Sequence, residues 1–503
     1  MTTPATDLPR AYLGVDIGTS STKGVLVVDD GTVARSASRP HTVSRPAPGF
    51  VESDPATWWE ELVSLAEELT GDGAYAVAAV GVSGMGPCVV LTEEDGTPVR
   101  PAILYGVDSR AGKQIAALEE RLGRQEIRAR TGSVLSSQAV GPKVAWVAEH
   151  EPEAYAKARR LFMVSSWLVH GLTGAYRMDR HSASQCTPML DLHTGEWHRP
   201  WAEQITPGLE LPELAWPGEV VGHTAAPLGG VAAGTPVVAG TIDAWAEAVS
   251  VAAQSPGDLM LMYGTTMFLI ATADQPRTSE VMWGTIGAYP GTYNLAGGMA
   301  SSGSVTAWVR DLTGGAPYED LLTEAETSGV GARGLLLLPY FDGERTPISD
   351  PRARGVIAGL TLSHTRGDVY RAALEATAFG VRHNVEAFRD EGVQVRRVVA
   401  VGGGVQHPLW PQVVSDVTGL EQVIPTVTVG ASYGMARLAA TALGEAHVDD
   451  WNPPQRTTGP DPARQRRYDE LYRHYRALYP ATAETMHALA DLTEDPTENK
   501  EPA

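Results

Sequence analysis

Residues 12–39 read YLGVDIGTSSTKGVLVVDDGTVARSASR and determine the fold of the first half of the chain. An apolar run, Tyr12–Ile17, meets a turn of small residues, Gly18–Thr22, and a second apolar run, Gly24–Val28, leaves it. An Asp-Gly turn then leads into a third strand-like run. Apolar runs separated by turn residues predict a β-meander, and its first turn is rich in Gly, Ser and Thr.

The same design recurs about half a chain later. Residues 258–272, DLMLMYGTTMFLIAT, again form a strand-like run, a turn at Gly264-Thr265-Thr266 and a second apolar run. Either turn alone is equally consistent with an ordinary hairpin. The pair predicts two related domains, each of which presents a phosphate-binding turn to a shared cleft.

Strand and helix patterns alternate around these two segments. Apolar residues at helical spacing predict helices over 58–71, 367–388 and 407–419. Continuous apolar runs predict strands over 76–84 and 395–404. This alternation indicates an α/β protein.

The length of 503 residues indicates two sizeable domains and a C-terminal extension. We predict an N-terminal domain over 10–252, which contains the first phosphate turn, and a C-terminal domain over 253–445, which contains the second. The segment 446–503 is predicted to form a helix with a stripe of tyrosines that packs on the second domain, followed by a disordered acidic tail, DLTEDPTENKEPA.

Charge and cysteine content restrict the partners and the compartment. The formal net charge of −21 argues against nucleic acid and against anionic membrane surfaces, since both require a basic surface. The chain has only two cysteines, Cys88 and Cys186, which suits a reducing compartment. No signal peptide and no run of apolar residues long enough to span a membrane is visible, so we expect a cytoplasmic protein.

The first turn has the residues that phosphoryl transfer needs. Transfer requires phosphate cradles, a metal, an acceptor hydroxyl and usually a carboxylate that takes its proton. In DIGTSSTK (16–23), Gly18 allows a tight turn, the hydroxyls and backbone N–H groups can face phosphate oxygens, and Lys23 can add positive charge. Asp16 can hold a hydrated Mg²⁺. The P-loop spacing is absent, and an ordinary turn is the alternative.

A second carboxylate stands where a general base would be useful. In VVAGTIDAWAEAVS (237–250), Asp243 follows an apolar strand and Gly240, and small residues follow at helical spacing. An isolated Asp at such a junction is commonly a helix N-cap. Its position just before the second Gly-Thr turn favours a general base.

Two further segments allow both a functional and a structural interpretation. The glycine triplet in AVGGGVQHPLW (400–410) suits a flat nucleotide surface or a tight strand-to-helix turn. In PAILYGVDSRA (101–111), Asp108 and Arg110 could bind sugar hydroxyls or form a surface salt bridge. Hydrolase, protein-kinase and structural zinc sites are not indicated, because the sequence lacks a G-x-S-x-G elbow, an H-R-D set and metal-ligand spacing of His and Cys.

Over residues 10–480 the chain resembles the FGGY carbohydrate kinases of the actin–hexokinase superfamily. The most specific match is GVIAGLTLSHTRGDVYRAALE (355–375), which fits the C-terminal signature of that family. Supporting matches, in the family order, are DIGTSSTK, PGFVESDPATWW, GTIDAW, YGTT and VGGGVQHPLW. Several motifs in the right order are much more specific than any one of them.

The resemblance implies two actin/hexokinase-like (ribonuclease H-like) domains flanking a deep ATP/sugar cleft, with the sugar site in the N-terminal domain (10–252) and the ATP site in the C-terminal domain (253–445). It implies ATP-dependent phosphorylation of a small sugar with Mg²⁺ as cofactor, Asp243 as the catalytic base and Asp16 at the metal. The ATP-binding residues it implies are Gly18, Thr19, Ser20, Lys23, Gly264, Thr265, Gly403 and His407. The substrate-binding residues it implies are Met85, Asp108, Arg110 and Asp243.

Within the family the chain looks most like the xylulokinases, so a ketopentose such as xylulose is the expected acceptor. It departs from them at Ser83-Gly84-Met85-Gly86-Pro87, where they carry Gln-Met-His, and in a longer strip at 105–110. Kinases for a tetrose, ribitol, glycerol or a modified sugar stay open. So do an actin-like ATPase without an acceptor and a catalytically inactive sugar sensor. The phosphorylated hydroxyl, regulation and a homodimer are also left open.

Overall fold

A computed structural model describes residues 8–444 and 450–494 of the chain. The strands are β1 (Arg10–Ile17), β2 (Ser21–Val28), β3 (Val33–Pro40), β4 (Glu52–Ser53), β5 (Ala76–Gly84), β6 (Val90–Thr92), β7 (Ala102–Ile103), β8 (Arg160–Phe162), β9 (Arg177–Asp179), β10 (Leu190–Asp191), β11 (Glu196–Trp197), β12 (Glu213–Ala215), β13 (Val220–His223), β14 (Pro236–Val238), β15 (Thr241–Ile242), β16 (Asp258–Tyr263), β17 (Met267–Ala273), β18 (Trp283–Ile286), β19 (Tyr293–Met299), β20 (Leu336–Leu338), β21 (Val356–Ala358), β22 (Arg397–Val401), β23 (Gln422–Pro425) and β24 (Pro454–Thr458).

The helices alternate with these strands. They are α1 (Pro55–Thr70), α2 (Gly112–Leu122), α3 (Arg124–Thr131), α4 (Val140–His150), α5 (Pro152–Lys157), α6 (Val164–Thr173), α7 (Arg180–Ser184), α8 (Arg199–Ile205), α9 (Asp243–Ser250), α10 (Gly303–Leu312), α11 (Tyr318–Ser328), α12 (Arg366–Asp390), α13 (Leu409–Thr418), α14 (Ala431–Ala442) and α15 (Pro462–Glu494). The α/β class predicted from the sequence is confirmed.

The first sheet contains the predicted meander and positions one half of the site. Its order is β13-β14-β5-β1-β2-β3, with β15 also paired to β5. β1 and β2 are antiparallel, and β2 continues antiparallel into β3, which confirms the meander. β5 is parallel to both β1 and β15, so Asp16 and Thr241 are both in register with Ser83.

Helix α1 covers this sheet with an amphipathic face. Trp58, Leu62, Leu65 and Leu69 recur at helical spacing and are buried in the core with the side chains of β1. The helix begins at Pro55, earlier than predicted, because the preceding Asp54 caps it by accepting from the N–H of Ala56. The spacing of apolar residues does not show where such a helix begins, because the capping residue is polar and lies outside the apolar pattern.

The second sheet repeats the hairpin and a parallel neighbour. Its order is β18-β19-β17-β16-β22-β23-β24. β16 and β17 are antiparallel around the second Gly-Thr turn, and β16 is parallel to β22, with Met262 opposite Val401. Most of the first half of α12 is buried, which matches its long apolar pattern.

The chain divides into two units that are not continuous in sequence. One comprises the described residues of Met1–Pro256, Thr272–Asn294 and Val429–Pro453, and the other those of Gly257–Ala271, Leu295–Thr428 and Pro454–Ala503. The domains predicted from the sequence were unbroken ranges. The difference arises because α14, late in the chain, packs on β1 of the first unit.

The C-terminal helix α15 packs within the second unit. The hydroxyl of Tyr468 donates to Glu375, and the hydroxyls of Tyr475 and Tyr340 are hydrogen-bonded. The helix extends to Glu494, into the start of the segment predicted to be disordered; the rest of that segment lies outside the described residues. Of the helices described, none combines the length and hydrophobicity that a membrane span requires.

Candidate active site

Three parallel strands of the first sheet end at the same edge and bring the predicted residues together. The carboxyl ends of β1, β5 and β15 are adjacent because Asp16, Ser83 and Thr241 are in register. This edge therefore carries the turn after β1, the segment after β5 and Asp243 after β15. The close approach of β15 to β5 requires Gly240, since a Cβ there would lie 2.1 Å from the carbonyl oxygen of Val82.

Asp243 is the first residue of α9, and its side chain does not cap the helix. The cap position belongs to Ile242, and the Oδ1 atom of Asp243 accepts from the adjacent N–H of Ala244 at 2.8 Å. Burial, then the negative charges of Asp16 and Glu247, raise the pKa of Asp243 to about 8. The capping alternative is therefore not supported, and the carboxylate has the perturbed character expected of a proton acceptor.

Asp16 lies beside this carboxylate at the end of β1. The hydroxyl of Ser83 donates to its Oδ1 at 2.8 Å. Burial raises the pKa of Asp16, while the Ser83 hydrogen bond and the Lys23 charge lower it. Glu247, one turn after Asp243 on α9, was not singled out from the sequence, and burial together with the Asp16 charge raises its pKa to about 7. Its only sequence signal is the i, i+4 spacing from Asp243.

The carboxylates at this edge of the sheet are candidate ligands for Mg²⁺. Among the described side chains, no group of three or more His, Cys, Asp or Glu residues is arranged to enclose a metal ion. Mg²⁺ does not need such a group, because it keeps several waters and binds one or two carboxylates. A cation near Asp16 would also relieve the mutual repulsion that raises the pKa values of Asp243 and Glu247. The edge therefore fits a hydrated magnesium ion.

The turn after β1 places its polar groups at this edge. The N–H of Gly18 donates to the carbonyl of Ser21 at 3.0 Å and closes the turn. The hydroxyl of Thr19 shares a 2.9 Å hydrogen bond with the hydroxyl of Tyr105. Ser20 and Lys23 are exposed. The turn thus joins the strip at 105–110, a link that the sequence did not indicate.

Met85 lies at the same edge through its backbone only. Its N–H donates to the carbonyl of Ile17 at 2.7 Å, and its side chain is 1% exposed within the core of the first unit. A cis peptide bond joins the following Gly86 and Pro87. The side chain of Met85 is thus a core residue, and the sugar contact predicted for it stays a prediction.

Asp108 and Arg110 form a buried ion pair. Neither side chain is exposed, and the Arg110 Nη2 atom lies 2.7 Å from the Asp108 Oδ2 atom. Asp108 also accepts from the N–H of Val51 at 2.6 Å, and Arg110 donates to Glu52 at 2.7 Å. The two residues do form a salt bridge, but the prediction that it lies at the surface is wrong, because the pair is buried. Direct sugar contact by these groups stays a prediction, although their polar atoms are bonded within the protein.

A second buried cation supports the same strip. The Nζ atom of Lys143 donates to the carbonyls of Leu104 and Tyr105 at 2.6 and 2.8 Å, and burial lowers the pKa of Lys143 to about 8. The N–H of Gly106 donates to Gln138 at 3.0 Å. The strip is therefore fixed on both sides by side chains of α4 and of the loop that precedes it.

A small cavity of about 20 Å³ lies next to this strip. Its lining contains no Asp, Glu, Lys or Arg side chain and is rich in hydroxyl and amide groups. Polar lining residues include Ser136, Gln138, Ser184, Gln185, Thr187 and Thr285. Gln185 contacts His181 at 2.9 Å, and the His181 ring lies 4.0 Å from that of Trp245 on α9, so the cavity is connected through packed side chains to the helix that begins with Asp243.

The second unit holds the second Gly-Thr turn. The carbonyl of Gly264 accepts from the N–H of Gly303, and that of Thr265 accepts from the N–H groups of Ser302 and Ser304, at 3.0–3.1 Å. The hydroxyls of Ser302 and Ser304 are buried and have no hydrogen-bond partner within the described part of the chain. Sequence analysis missed these serines; the ASSGS cluster between β19 and α10 was the available signal.

The glycine triplet follows the neighbouring parallel strand. β16 and β22 are adjacent, so the triplet lies beside the second turn. A Cβ at Gly403 would meet no atom within 4 Å, whereas one at Gly402 would lie 2.5 Å from the carbonyl oxygen of Tyr263. His407 accepts from the N–H of Leu409 through Nδ1 at 3.2 Å. The open surface at Gly403 leaves room for a flat ligand.

Comparison with known proteins places this arrangement in a family. The models of the FGGY family of carbohydrate kinases match residues 11–250 (N-terminal domain) and 259–443 (C-terminal domain). The chain is 30% identical over 443 residues to the xylulose kinase of Escherichia coli K12, covering 86% of this chain and 90% of that protein. It is 33% identical over 458 residues to the glycerol kinase of Nocardia farcinica, with the same coverage of both chains.

A solved structure gives the same result for the fold. The xylulose kinase of Rhodospirillum rubrum superposes with a TM-score of 0.88 at 32% identity, covering 95% of this chain and 100% of that chain. This similarity extends over both units and supports the actin/hexokinase-like fold predicted from the sequence. The chain belongs to the FGGY family of carbohydrate kinases.

Proposed function

We propose that this carbohydrate kinase transfers the γ-phosphoryl group of Mg–ATP to a hydroxyl of a neutral ketopentose of the xylulose type, with Asp243 as the general base. The observation that carries the proposal is the position of Asp243 at the strand edge next to Asp16, with a strongly raised pKa. A carboxylate with this character in the first turn of a helix is a good candidate for a proton acceptor.

In the proposed reaction, Asp243 acts directly on the acceptor hydroxyl. The hydroxyl proton of the acceptor moves to the Asp243 carboxylate, and the hydroxyl oxygen forms a bond to the γ-phosphorus. The bond between that phosphorus and the β,γ-bridging oxygen breaks, and ADP leaves. The N–H of Ala244 holds Oδ1 of Asp243. Oδ2 is therefore the atom proposed to take the proton.

Each Gly-Thr turn is proposed to bind nucleotide phosphate. In the first unit, the hydroxyls of Thr19 and Ser20 and the charge of Lys23 suit phosphate oxygens. In the second unit, Gly264 and Thr265 would receive phosphate together with the unpaired buried hydroxyls of Ser302 and Ser304. Buried hydroxyls without partners are costly, and a phosphate would supply the missing acceptors.

Asp16 would hold the magnesium ion through metal-bound water, and Gly403 with His407 would border the adenosine. When bound, Mg²⁺ neutralises charge on the transferred phosphoryl group. Asp108, Arg110 and Lys143 would act by fixing the strip next to the acceptor, since their charges are already paired or bonded in the protein. This supports a positioning role for the ion pair in place of the direct sugar contact predicted from the sequence.

The groups that line the small cavity beside the strip support a neutral acceptor with several hydroxyls. They include amide and hydroxyl groups and no charged side chain that would pair with a sugar acid. Relatives named as xylulose kinases and as glycerol kinases both match the chain. The solved structure that superposes at 32% identity is named a xylulose kinase, which favours the ketopentose.

The test is an acceptor panel with coupled detection of ADP. The panel contains xylulose, ribulose, erythrulose, ribitol, glycerol and gluconate, and reactions without acceptor measure basal hydrolysis. We expect a ketopentose to have the highest kcat/KM, exceeding glycerol by about tenfold or more, because unfilled polar groups in a site reduce binding of the smaller substrate. Highest activity with glycerol or gluconate would refute the substrate class. Equal ADP release with and without every acceptor would indicate an acceptor-independent ATPase.

A further inference from the structure

A histidine and a glutamate lie behind the first phosphate turn, and neither was singled out from the sequence. His41 follows β3, and Glu61 belongs to α1. The His41 Nδ1 atom lies 2.9 Å from Glu61 Oε2, and its Nε2 atom lies 3.0 Å from the carbonyl oxygen of Gly18. The side chains are only 5% and 12% exposed, so water competes weakly for these contacts.

The hydrogen-bond partners define which contact the ring donates to. The carbonyl oxygen of Gly18 can only accept, so Nε2 of His41 carries a proton. Nδ1 is hydrogen-bonded to the Glu61 carboxyl group, which also accepts from the hydroxyl of Thr22. The His41 ring is therefore held between α1 and the turn, with its Nε2–H group directed at the carbonyl of Gly18.

His41 also fixes the orientation of two peptide groups in the turn. Its side chain binds the carbonyl of Gly18, and its backbone N–H donates to the carbonyl of Ser20 at 3.0 Å. In a trans peptide, the N–H points opposite to the carbonyl of the preceding residue. The N–H groups of Thr19 and Ser21 therefore point away from His41, and the turn presents two backbone donors on its far side.

We propose that His41, braced by Glu61, is a positioning residue for nucleotide phosphate: it sets the turn so that the N–H groups of Thr19 and Ser21 face a phosphate oxygen. The inference rests on the proposed function in that the ligand is the phosphate of ATP. Paired backbone donors in a turn form an anion-binding concavity, and the hydrogen bonds from His41 to the carbonyls of Gly18 and Ser20 hold those donors in place. His41 and Glu61 act through the turn and do not touch the substrates.

The chain offers a matched control on the same two elements. Arg39, at the end of β3, also bridges to α1, donating to the hydroxyl of Ser64 at 3.0 Å and pairing with Glu68. It spans the same interface as the His41–Glu61 pair and makes no hydrogen bond to the turn among the contacts of the described residues. Arg39→Gln thus removes a more exposed bridge between the same two elements, without removing a side-chain contact to the carbonyls of Gly18 and Ser20.

The experiment compares His41→Leu, His41→Gln, Glu61→Gln and Arg39→Gln with the wild type. Calorimetry gives the Kd for Mg–ATP and for xylulose separately, and steady-state assays give both KM values and kcat. We expect His41→Leu to weaken Mg–ATP binding about tenfold, since a hydrogen bond from a turn N–H group to a charged phosphate oxygen has an effect of that order and would be lost when the turn shifts. The Kd for xylulose should stay within twofold. His41→Gln keeps one donor for the carbonyl of Gly18, so its Kd for Mg–ATP should lie between those of His41→Leu and the wild type. The Kd of Glu61→Gln for Mg–ATP should lie between those of His41→Gln and the wild type.

The outcomes separate this inference from the proposed function. A Kd for Mg–ATP within twofold of wild type in His41→Leu would overturn the inference, as would equal losses for ATP and xylulose or an equal loss in Arg39→Gln. If the wild type phosphorylates no acceptor while Mg–ATP binding still depends on His41, the proposed function fails and the inference stands. If His41→Leu does not fold, His41→Gln and Glu61→Gln decide by the same ATP-against-xylulose comparison. A wild type that does not bind Mg–ATP would overturn both.

Discussion

The carboxylate of Asp243 is the group on which the proposed chemistry depends, and its surroundings favour the neutral form. Burial and the charges of Asp16 and Glu247 raise its pKa to about 8. A raised pKa makes the ionised form a stronger acceptor for the hydroxyl proton, although less of it is ionised at neutral pH. A cation beside Asp16 would oppose these negative charges and restore ionisation.

Asp243→Asn should abolish most turnover and leave the fold intact. The amide oxygen can still accept from the N–H of Ala244, whereas the proton acceptor is lost, so kcat should fall by about 10²–10⁴. The acid side of the pH–rate profile should change as well: wild-type activity should fall as pH falls and Asp243 becomes protonated, and this loss should be absent from the residual activity of the variant. Initial rates from pH 5.5 to 9, with melting temperature and Kd for ATP as controls, test this. More than half of wild-type kcat would exclude the base role.

Strand-end position explains which residues could be predicted from the sequence. Asp16 and Asp243 follow apolar strands, and the carboxyl ends of parallel strands share one edge of the sheet. The buried state of Asp108 and Arg110 was not visible, because the pairing depends on Glu52 and on the N–H of Val51, more than fifty residues earlier. The same applies to the role of His41, which depends on a contact with α1.

Helix α14 is an element that the sequence analysis did not predict. The backbone of this helix approaches β1 and α9 so closely that only glycine fits at two positions. A Cβ at Gly14 would lie 1.9 Å from the carbonyl oxygen of Ser432, and one at Gly434 would lie 1.9 Å from that of Ala246. A glycine inside an apolar helix pattern indicates a close approach, but it does not identify the partner. Since α9 begins with Asp243, this packing also supports the site.

Gly434→Ala should destabilise the first unit and reduce kcat. The added methyl group would force α14 away from α9, and overpacking of this kind costs about 1–3 kcal/mol of the free energy of unfolding, occasionally more. Gly112→Ala is the matched control, because a Cβ there meets no atom within 4 Å and should change stability by less than about 1 kcal/mol. Urea unfolding of both variants measures the difference. Equal midpoints would show that the α9–α14 contact is loose.

For the whole molecule, the repeated Gly-Thr turn predicted two related α/β halves, and two units with similar hairpins are present. The course of the chain between them was harder to predict. Boundaries read from sequence follow the order of residues, whereas compact units follow packing, and α14 packs on the first unit although most of the second unit precedes it in sequence. A helix carries no sequence mark for the sheet it will cover, so such discontinuity becomes visible only in three dimensions.

Buried acids give the whole molecule a definite pH dependence. The net charge is already −21, and burial raises the pKa of Asp179 to about 6, of Glu247 to about 7 and of Glu344 to about 8. Between the pKa of a free carboxyl group and these values, the native state holds protons that the unfolded chain has released. The free energy of unfolding therefore decreases as pH rises through this range, since the unfolded state binds fewer protons.

Glu344→Gln tests this linkage at one site. Glu344 is 5% exposed, and its Oε1 accepts from the N–H groups of Ala300 and Arg345 at 2.8 and 2.7 Å, bonds that an amide oxygen can keep. At pH 5 the wild-type carboxyl is protonated, so the two proteins should melt at similar temperatures. Toward pH 8 the wild type must either ionise a buried group or keep a proton that the unfolded chain has released. Either way stability is lost, by roughly 1.4 kcal/mol per unit of difference between the native and the unfolded pKa of Glu344, so the variant should become the more stable.

Glu324 provides the control. Pairing with Arg366 lowers its pKa, so Glu324→Gln should show no such gain in stability from pH 5 to 8. Melting curves at each pH provide the measurement; a constant difference between wild type and Glu344→Gln would mean that Glu344 ionises as readily in the native state as in the unfolded chain.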